Sequence, residues 1–300
     1  MTPWDLRTAY EEGENILQLL ALGDSGSDMR AEHVELSYDL QAGEYARAFD
    51  ACVEIRERKH AFGKALLEVF QGLCGVQSIL DAGVGEGTTL WSIFSQMSEP
   101  HPLIHAVDLC WSRVAVCKHW LARQRPRVHV ALACASLTEL PYANDSFDVV
   151  YTTHSLEPNR GLEPCILSEL YRVASRYAVL VEPAYELVSE DRRRRMDRHG
   201  YCRGLLDEAR KLGMNVVRHE LFMSDASSRN PSALLIIEKD PRALATSPTY
   251  ACPAYRTPLE VRQGCYYSSR SCRVYPLVGG IPCLRSSHAI LASRFTEYSE

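Results

Sequence analysis

No apolar run in this chain approaches the ~18 residues that a membrane-crossing helix needs, and Met1 to Tyr10 holds no apolar segment of the secretory kind. Both absences predict a cytoplasmic protein that does not engage membranes. Positive charge is not in excess either: 33 Lys and Arg stand against 38 Asp and Glu, a net charge of −5. No global basic field is therefore available to recruit nucleic acid. The 11 cysteines include no Cys-x-x-Cys pair, which weakens any metal reading. Without a secretion signal, Cys52, Cys74, Cys110, Cys117, Cys134, Cys165 and Cys202 read as buried thiols rather than disulfides. No internal repeat is visible. With 46% hydrophobic and 24% charged residues, the composition is that of an ordinary globular protein. The length allows one large domain or one domain and a small one.

What the chain does hold is an unusual turn. Ser78-Ile79-Leu80-Asp81-Ala82-Gly83-Val84-Gly85-Glu86-Gly87-Thr88-Thr89-Leu90 reads as a buried strand, an acid, three glycines at alternate positions and a helix start. Glycine is required where a Cβ would block a ligand from lying on the backbone, or where φ is positive. Ligands of open α/β sheets bind outside the carboxyl ends of the strands, where this turn stands. Nicotinamide enzymes favour Gly-x-Gly-x-x-Gly, whose helix N-terminus receives a pyrophosphate. Here the third glycine comes one residue early and an acid precedes the first. This arrangement resembles motif I of the class I S-adenosylmethionine (SAM) methyltransferases. The resemblance implies SAM as cofactor, with Asp81, Gly83, Gly85 and Gly87 around it. SAM has no phosphate but carries an ammonium, a carboxylate and a sulfonium, and an acid beside bare backbone suits that mixture.

Two further segments agree. His105-Ala106-Val107-Asp108 ends a second apolar run, and Asp108 lies 21 residues after Gly87. An acid about 20 residues beyond a glycine turn can accept from ribose hydroxyls; Asp108 also reads as an N-cap, a compatible role. Leu109 follows it at the same cofactor edge. Leu140-Pro141-Tyr142-Ala143-Asn144-Asp145-Ser146-Phe147-Asp148-Val149-Val150 resembles the segment leading into the fourth strand of many small-molecule methyltransferases, with Asn144-Asp145-Ser146 as its turn. Four residues before Leu140 the family often places an acid against the adenine amino group, whereas this chain has Ser136. A hydroxyl accepts a weaker hydrogen bond than a carboxylate, so adenine is expected to rest on the Leu137 backbone and apolar walls. Ser37-Tyr38-Asp39-Leu40-Gln41-Ala42-Gly43-Glu44-Tyr45 resembles a phrase ahead of motif I where the N-terminal segment closes over SAM. Tyr38 is accordingly a cofactor candidate, or an aromatic that holds a helix to the core.

The patterning predicts a Rossmann-like α/β fold: a doubly wound, mostly parallel, seven-stranded sheet with an N-terminal helical cap and a small C-terminal β-rich domain. The cap, 1–75, has helices over 3–22 and from about Asp39 to Leu73, separated by a Gly23-to-Asp28 break. The SAM-binding domain spans 76–240. Its strands are expected at 77–81, 103–108, 128–133, 147–152, 177–182, 216–222 and 233–238, and its helices near 87–98, 111–123, 162–174 and 202–213. Such alternation implies crossover helices on both faces of the sheet, and the last two strands are close enough for a hairpin. Asp240 to Pro248 is a linker. In the unit 249–300, Cys252-Pro253 and Tyr275-Pro276-Leu277-Val278-Gly279-Gly280-Ile281-Pro282 resemble a small zinc-ribbon-like domain. Zinc-carrying members begin Cys-Pro-x-Cys; here Tyr255 stands at the second ligand position. Cys252, Cys265, Cys272 and Cys283 lack the two close pairs that tetrahedral zinc favours, so a degenerate, metal-free ribbon is expected. A unit of ~50 residues is marginal alone; it should dock on the methyltransferase domain or on a second copy of the chain, as a homo-oligomer.

Methyl transfer needs a nucleophile held about 3 Å from the methyl carbon. A hydroxyl or ammonium acceptor must also lose a proton, for which a general base contributes ~10²–10⁴ in rate. In the family the end of the fourth strand stands beside the sulfonium; here it reads Tyr151-Thr152-Thr153-His154-Ser155-Leu156-Glu157-Pro158-Asn159. His154 is the base candidate, or it caps the strand. Glu157 and Asn159 are substrate candidates, or loop caps. Ser189-Glu190-Asp191 reads as a helix start, followed by four arginines, most of which must be solvated. His199 and Tyr201 come next, where the family builds its substrate lid, and are further acceptor candidates. The expected activity is SAM-dependent methylation of a hydroxyl or amine on a small molecule, a secondary metabolite or sugar. A tRNA or protein methyltransferase recruited through its tail, and a non-catalytic SAM-binding scaffold, remain the alternatives.

Overall fold

The computed structural model describes residues 3–14, 16, 27–98, 100–124, 128–223, 230–240 and 248–298. Residues 17–22 of the expected first helix, 23–26 of the break and 241–247 of the linker lie outside the described residues. The N-terminal part comprises α1 (Pro3–Glu11), α2 (Ser27–Leu40), α3 (Glu44–Ala51) and α4 (Val53–Gln71). The single helical region expected from Asp39 to Leu73 is thus three helices. Gly43 breaks the first junction with a left-handed backbone (φ 99°), and Cys52 breaks the second with an extended one (φ −116°, ψ 116°). Asp39 ends a helix rather than starting one.

The large sheet has the strands β1 (Ser78–Ala82), β2 (Leu103–Asp108), β3 (Val130–Cys134), β4 (Phe147–Thr153), β5 (Ala174–Pro183), β6 (Asn215–Phe222) and β7 (Ser232–Glu238). Their order is β3-β2-β1-β4-β5-β7-β6. Strands β1 to β5 pair in parallel, while β7 runs antiparallel to both β5 and β6. The expected hairpin is present, with its second strand inserted between β5 and β6. The connecting helices are α5 (Thr88–Phe94), α6 (Trp111–Gln124), α7 (Glu163–Val173), α8 (Glu190–Arg198) and α9 (Leu205–Lys211). Strand β1 is buried at all five positions, as a central parallel strand covered on both faces must be. The strand order reverses between β1 and β4, so their carboxyl ends flank the crevice where such sheets bind ligands.

The C-terminal unit is a small antiparallel sheet of β8 (Glu260–Arg262), β9 (Cys265–Ser268), β10 (Arg273–Val278) and β11 (Ile281–Pro282), with β12 (Ile290–Leu291) pairing β10. It docks on the large sheet within the same chain. Cys283 bridges in parallel to Cys134 at the end of β3, and Leu284 N donates to Cys134 O at 2.8 Å. Cys252, Tyr275 and Leu284 share one buried cluster with Leu140, Tyr142 and Phe147.

The thiols follow no single rule: Cys110, Cys117, Cys134 and Cys202 are buried, but Cys74 and Cys165 are exposed, and all 11 are free. Cys252 is occupied by the Tyr275 hydroxyl at 3.1 Å, and no cluster of three metal-ligating side chains occurs among the described residues. No described helix is long and apolar enough to cross a membrane.

Candidate functional site

The glycine turn opens onto a cavity of about 680 Å³ at the carboxyl ends of β1, β2, β3 and β4. Gly83 (φ 101°) and Gly85 (φ 55°) both have left-handed backbones. A Cβ on Gly83 would stand 2.2 Å from Ser155 Cβ, and one on Gly85 2.6 Å from Arg113 Nη2. The backbone demands glycine at both positions, and at Gly83 space does too. Gly87, the third of the set, lies behind the wall and starts α5. Asp108 stands beside the turn, where its carboxylate accepts from Gly85 N at 2.8 Å and Cys110 N at 3.0 Å. Asp108 faces the cavity, but it is not the N-cap of α6: that helix starts at Trp111, and Asp108 bonds the amide of Cys110 just ahead of it.

Tyr38, Gly83, Gly85, Asp108, Leu109, Ser136, Leu137, His154, Glu157 and Asn159 all line this cavity. Tyr38 sits under the Arg113 guanidinium, 4.9 Å from its ring centroid, with Tyr45 on the same cation at 5.2 Å. Asp81 does not reach the wall. It is 1% exposed, accepts from the Tyr151 hydroxyl at 2.5 Å, and its Oδ1 has no partner. Burial pushes its carboxyl up to about 7; the Tyr151 bond opposes this and the nearby Asp108 charge adds to it. His199 is exposed and stacks on Tyr201 (5.5 Å between centroids). Neither residue lines the cavity; Tyr201 touches it only through its hydroxyl, which accepts from the cavity residue Asn230 at 3.1 Å. The segment is tied to the loop after β4, where Cys202 N donates to Glu157 O at 3.0 Å.

The end of β4 carries the densest polar geometry. His154 has a left-handed backbone (φ 54°), uncommon for a non-glycine residue and a mark of over-determined surroundings. Its Nδ1 lies 3.0 Å from Glu157 Oε2 and its Nε2 lies 2.9 Å from Ser232 Oγ. An ionised carboxylate only accepts, so Nδ1 carries the proton and Nε2 is the basic nitrogen. Glu182 fixes the adjoining loop by accepting from Ser155 N (3.1 Å) and Leu156 N (3.2 Å); burial raises its carboxyl to about 7.

Several cavity residues were not found by sequence reasoning. Glu86, inside the glycine motif, accepts from Gly43 N (3.0 Å) and Ala46 N (2.7 Å), so it caps α3 in place of the missing side chain of Gly43. Lys59 donates to Thr89 Oγ1 at 2.8 Å, and burial, then Arg58 and Arg113, brings its ammonium down to about 8. Ser232 lies at the start of a strand whose sequence reads as plain core. Arg285 comes from the far end of the chain. Only Glu86 had a usable signal, its place within the motif.

Residues 79–176 match the model of a family described as a methyltransferase domain. Over 100 residues the chain is 34% identical to a malonyl-[acyl-carrier protein] O-methyltransferase of Halorhodospira halophila, which covers 32% of this chain and 31% of that protein. The match therefore spans about a third of the length of that relative. Among solved structures, the fold is similar to the magnesium protoporphyrin IX methyltransferase of Synechocystis PCC 6803. With bound SAH (S-adenosylhomocysteine) the TM-score is 0.54 at 13% identity, covering 70% of this chain and 100% of that one. With bound SAM it is 0.51 at 14% identity, covering 72% and 100%. The segment from β1 into β5 is therefore similar in sequence to a methyltransferase domain, and its fold is similar to that of structures solved with SAH and SAM.

Proposed function

We propose that the protein transfers a methyl group from SAM to a hydroxyl or amine of a small molecule. The observation that carries this reading is the left-handed glycine turn, which opens on the cavity with Asp108 bonded across it. SAM, when bound, supplies a methyl carbon already activated by its sulfonium. Gly83, Gly85 and Gly87 shape the backbone on which the cofactor lies, and Asp108 turns to its ribose hydroxyls. Asp81 supplies negative charge behind the turn for the ammonium. Leu109, Ser136 and Leu137 border the adenine, and Tyr38 covers the site from α2.

His154 is the general base for the acceptor. Glu157 holds Nδ1–H and stabilises the imidazolium that forms, leaving Nε2 to take the proton. Ser232 marks the position, 2.9 Å from Nε2, that an acceptor hydroxyl would share. Glu157 and Asn159 contact the acceptor, while His199 and Tyr201 shape its approach from outside. A cavity of about 680 Å³ supports a small acceptor, as does the name of one similar structure, a magnesium protoporphyrin IX methyltransferase. In this reading the chain divides into a helical cap (1–75), a catalytic domain (76–240) and a tail (249–300) that descends from a ribbon and has kept its sheet.

Thermal unfolding with SAM, S-adenosylhomocysteine and NAD tests the proposal. A ligand at 100 times its Kd adds about 2.7 kcal/mol to stability. The melting temperature should rise with the first two and stay unchanged with NAD; a rise with NAD alone removes the methyltransferase reading.

A further inference from the structure

The C-terminal unit has no part in the function proposed above, yet one of its side chains reaches the same cavity. Arg285 lines the cavity together with Glu35 of α2. Its Nη1 donates to both oxygens of Glu35, at 2.6 and 2.7 Å. The two side chains are only 17% and 28% exposed, so water screens the pair less than an open surface pair. They join parts of the molecule 250 residues apart in sequence.

The backbone around Arg285 is fixed independently of that pair. On one side, Leu284 N donates to Cys134 O, extending the sheet edge beyond β3. On the other, Ser286 N donates to Glu139 Oε1 at 2.8 Å. Both anchors flank the loop after β3, which carries Ser136 and Leu137. Further along, Trp111 Nε1 donates to Val278 O (3.1 Å) and Lys118 Nζ to Gly279 O (3.0 Å), tying the small sheet to α6. The backbone on both sides of Arg285 is thus tied to the edge of β3 and the loop after it, and Glu35 meets the Arg285 side chain from α2.

We infer that the C-terminal unit is a working part of the cofactor site: Arg285, clamped on Glu35, closes the nucleoside end of the cavity and sets how long the cofactor stays. The inference rests on the SAM-binding reading. It also gives the N-terminal cap a partner across the mouth, at the end where Ser136 stands in place of the family's acid.

The test measures dissociation of S-adenosylhomocysteine from the full-length protein by stopped-flow fluorescence. Arg285→Ala and Glu35→Gln should each release the nucleoside at least fivefold faster than wild type. The exchanged pair Glu35→Arg with Arg285→Glu should return the rate to within twofold, which a merely structural loss would not do. Glu35→Gln is nearly isosteric and carries the test alone if the arginine variants unfold. Wild-type rates in the single variants, or no recovery in the exchanged pair, overturn the clasp. A wild-type protein that binds no nucleoside overturns the SAM reading, and the clasp with it.

Discussion

Asp81 is enclosed, has one oxygen without a partner, and titrates near 7 where an aspartate ordinarily titrates at 3.8. Between those values the folded chain holds a proton that the unfolded chain has released. The stability associated with this group is therefore complete below about pH 4 and is lost as pH rises to about 7. Asp81→Asn removes the charge and keeps an acceptor for the Tyr151 hydroxyl. In urea unfolding of the cofactor-free protein, Asp81→Asn should exceed wild type by roughly 1–3 kcal/mol at pH 8 and by almost nothing at pH 4. An equal effect at both values would mean that the Asp81 charge is not what the fold resists. A buried carboxylate with an open oxygen is costly alone and favourable beside a cation, as expected at a cofactor ammonium. At this scale the placement of Gly83, Gly85, Asp108 and His154 at the cavity was legible, because each stands at a fixed offset from a strand end, whereas Asp81 lies behind the wall. Ser232 and Arg285 were not, because nothing local to them announces that His154 or Glu35 lies opposite.

The elements of the sheet could be read closely. The run 103–108 is β2 as expected, and 147–152 is β4 short of one residue. Their alternation of apolar runs and turn residues is a local property. The N-terminal helices were harder, since what caps the start of α3 is a tertiary contact. Gly43 offers no capping side chain, and the carboxylate that meets the free amides at the start of α3 comes from Glu86, 43 positions from Gly43 and 40 from Ala46. Glu86 therefore ties the cap helices to the turn that lines the cavity. Glu86→Ala should cost about 1–2 kcal/mol, as the loss of a helix cap does. Amide exchange should accelerate at Gly43 and Ala46 while the β1 amides stay protected. Unchanged exchange at those two amides would show that α3 is held by its packing alone. The lid segment misled in the other direction: 199–201 follows an arginine-rich helix, but Arg193 spends its donors on Tyr185 O and Glu186 O, and the segment turns outward.

Across the whole molecule, the sequence suggested a tail that needs a surface to dock on and left open which surface. The answer lies in contacts between distant segments. Tyr275 is fully buried in the cluster that also holds Tyr142, Phe147 and Leu156, so the tail shares the core of the large sheet. Tyr275→Ala should lower the stability of the entire chain by about 3–5 kcal/mol, the usual cost of emptying an aromatic site. Calorimetry should still show one transition, lowered as a unit. Two separate transitions, with only the smaller one shifted, would make the tail an independent body.

The account as a whole depends on where a nucleoside lies. A crystal structure of the protein with S-adenosylhomocysteine measures that directly. The account predicts the ligand along Gly83 to Gly87, its ribose hydroxyls on Asp108 and its adenine between Leu109 and Leu137. An unfilled crevice at saturating ligand, or a nucleoside bound away from that turn, would contradict it.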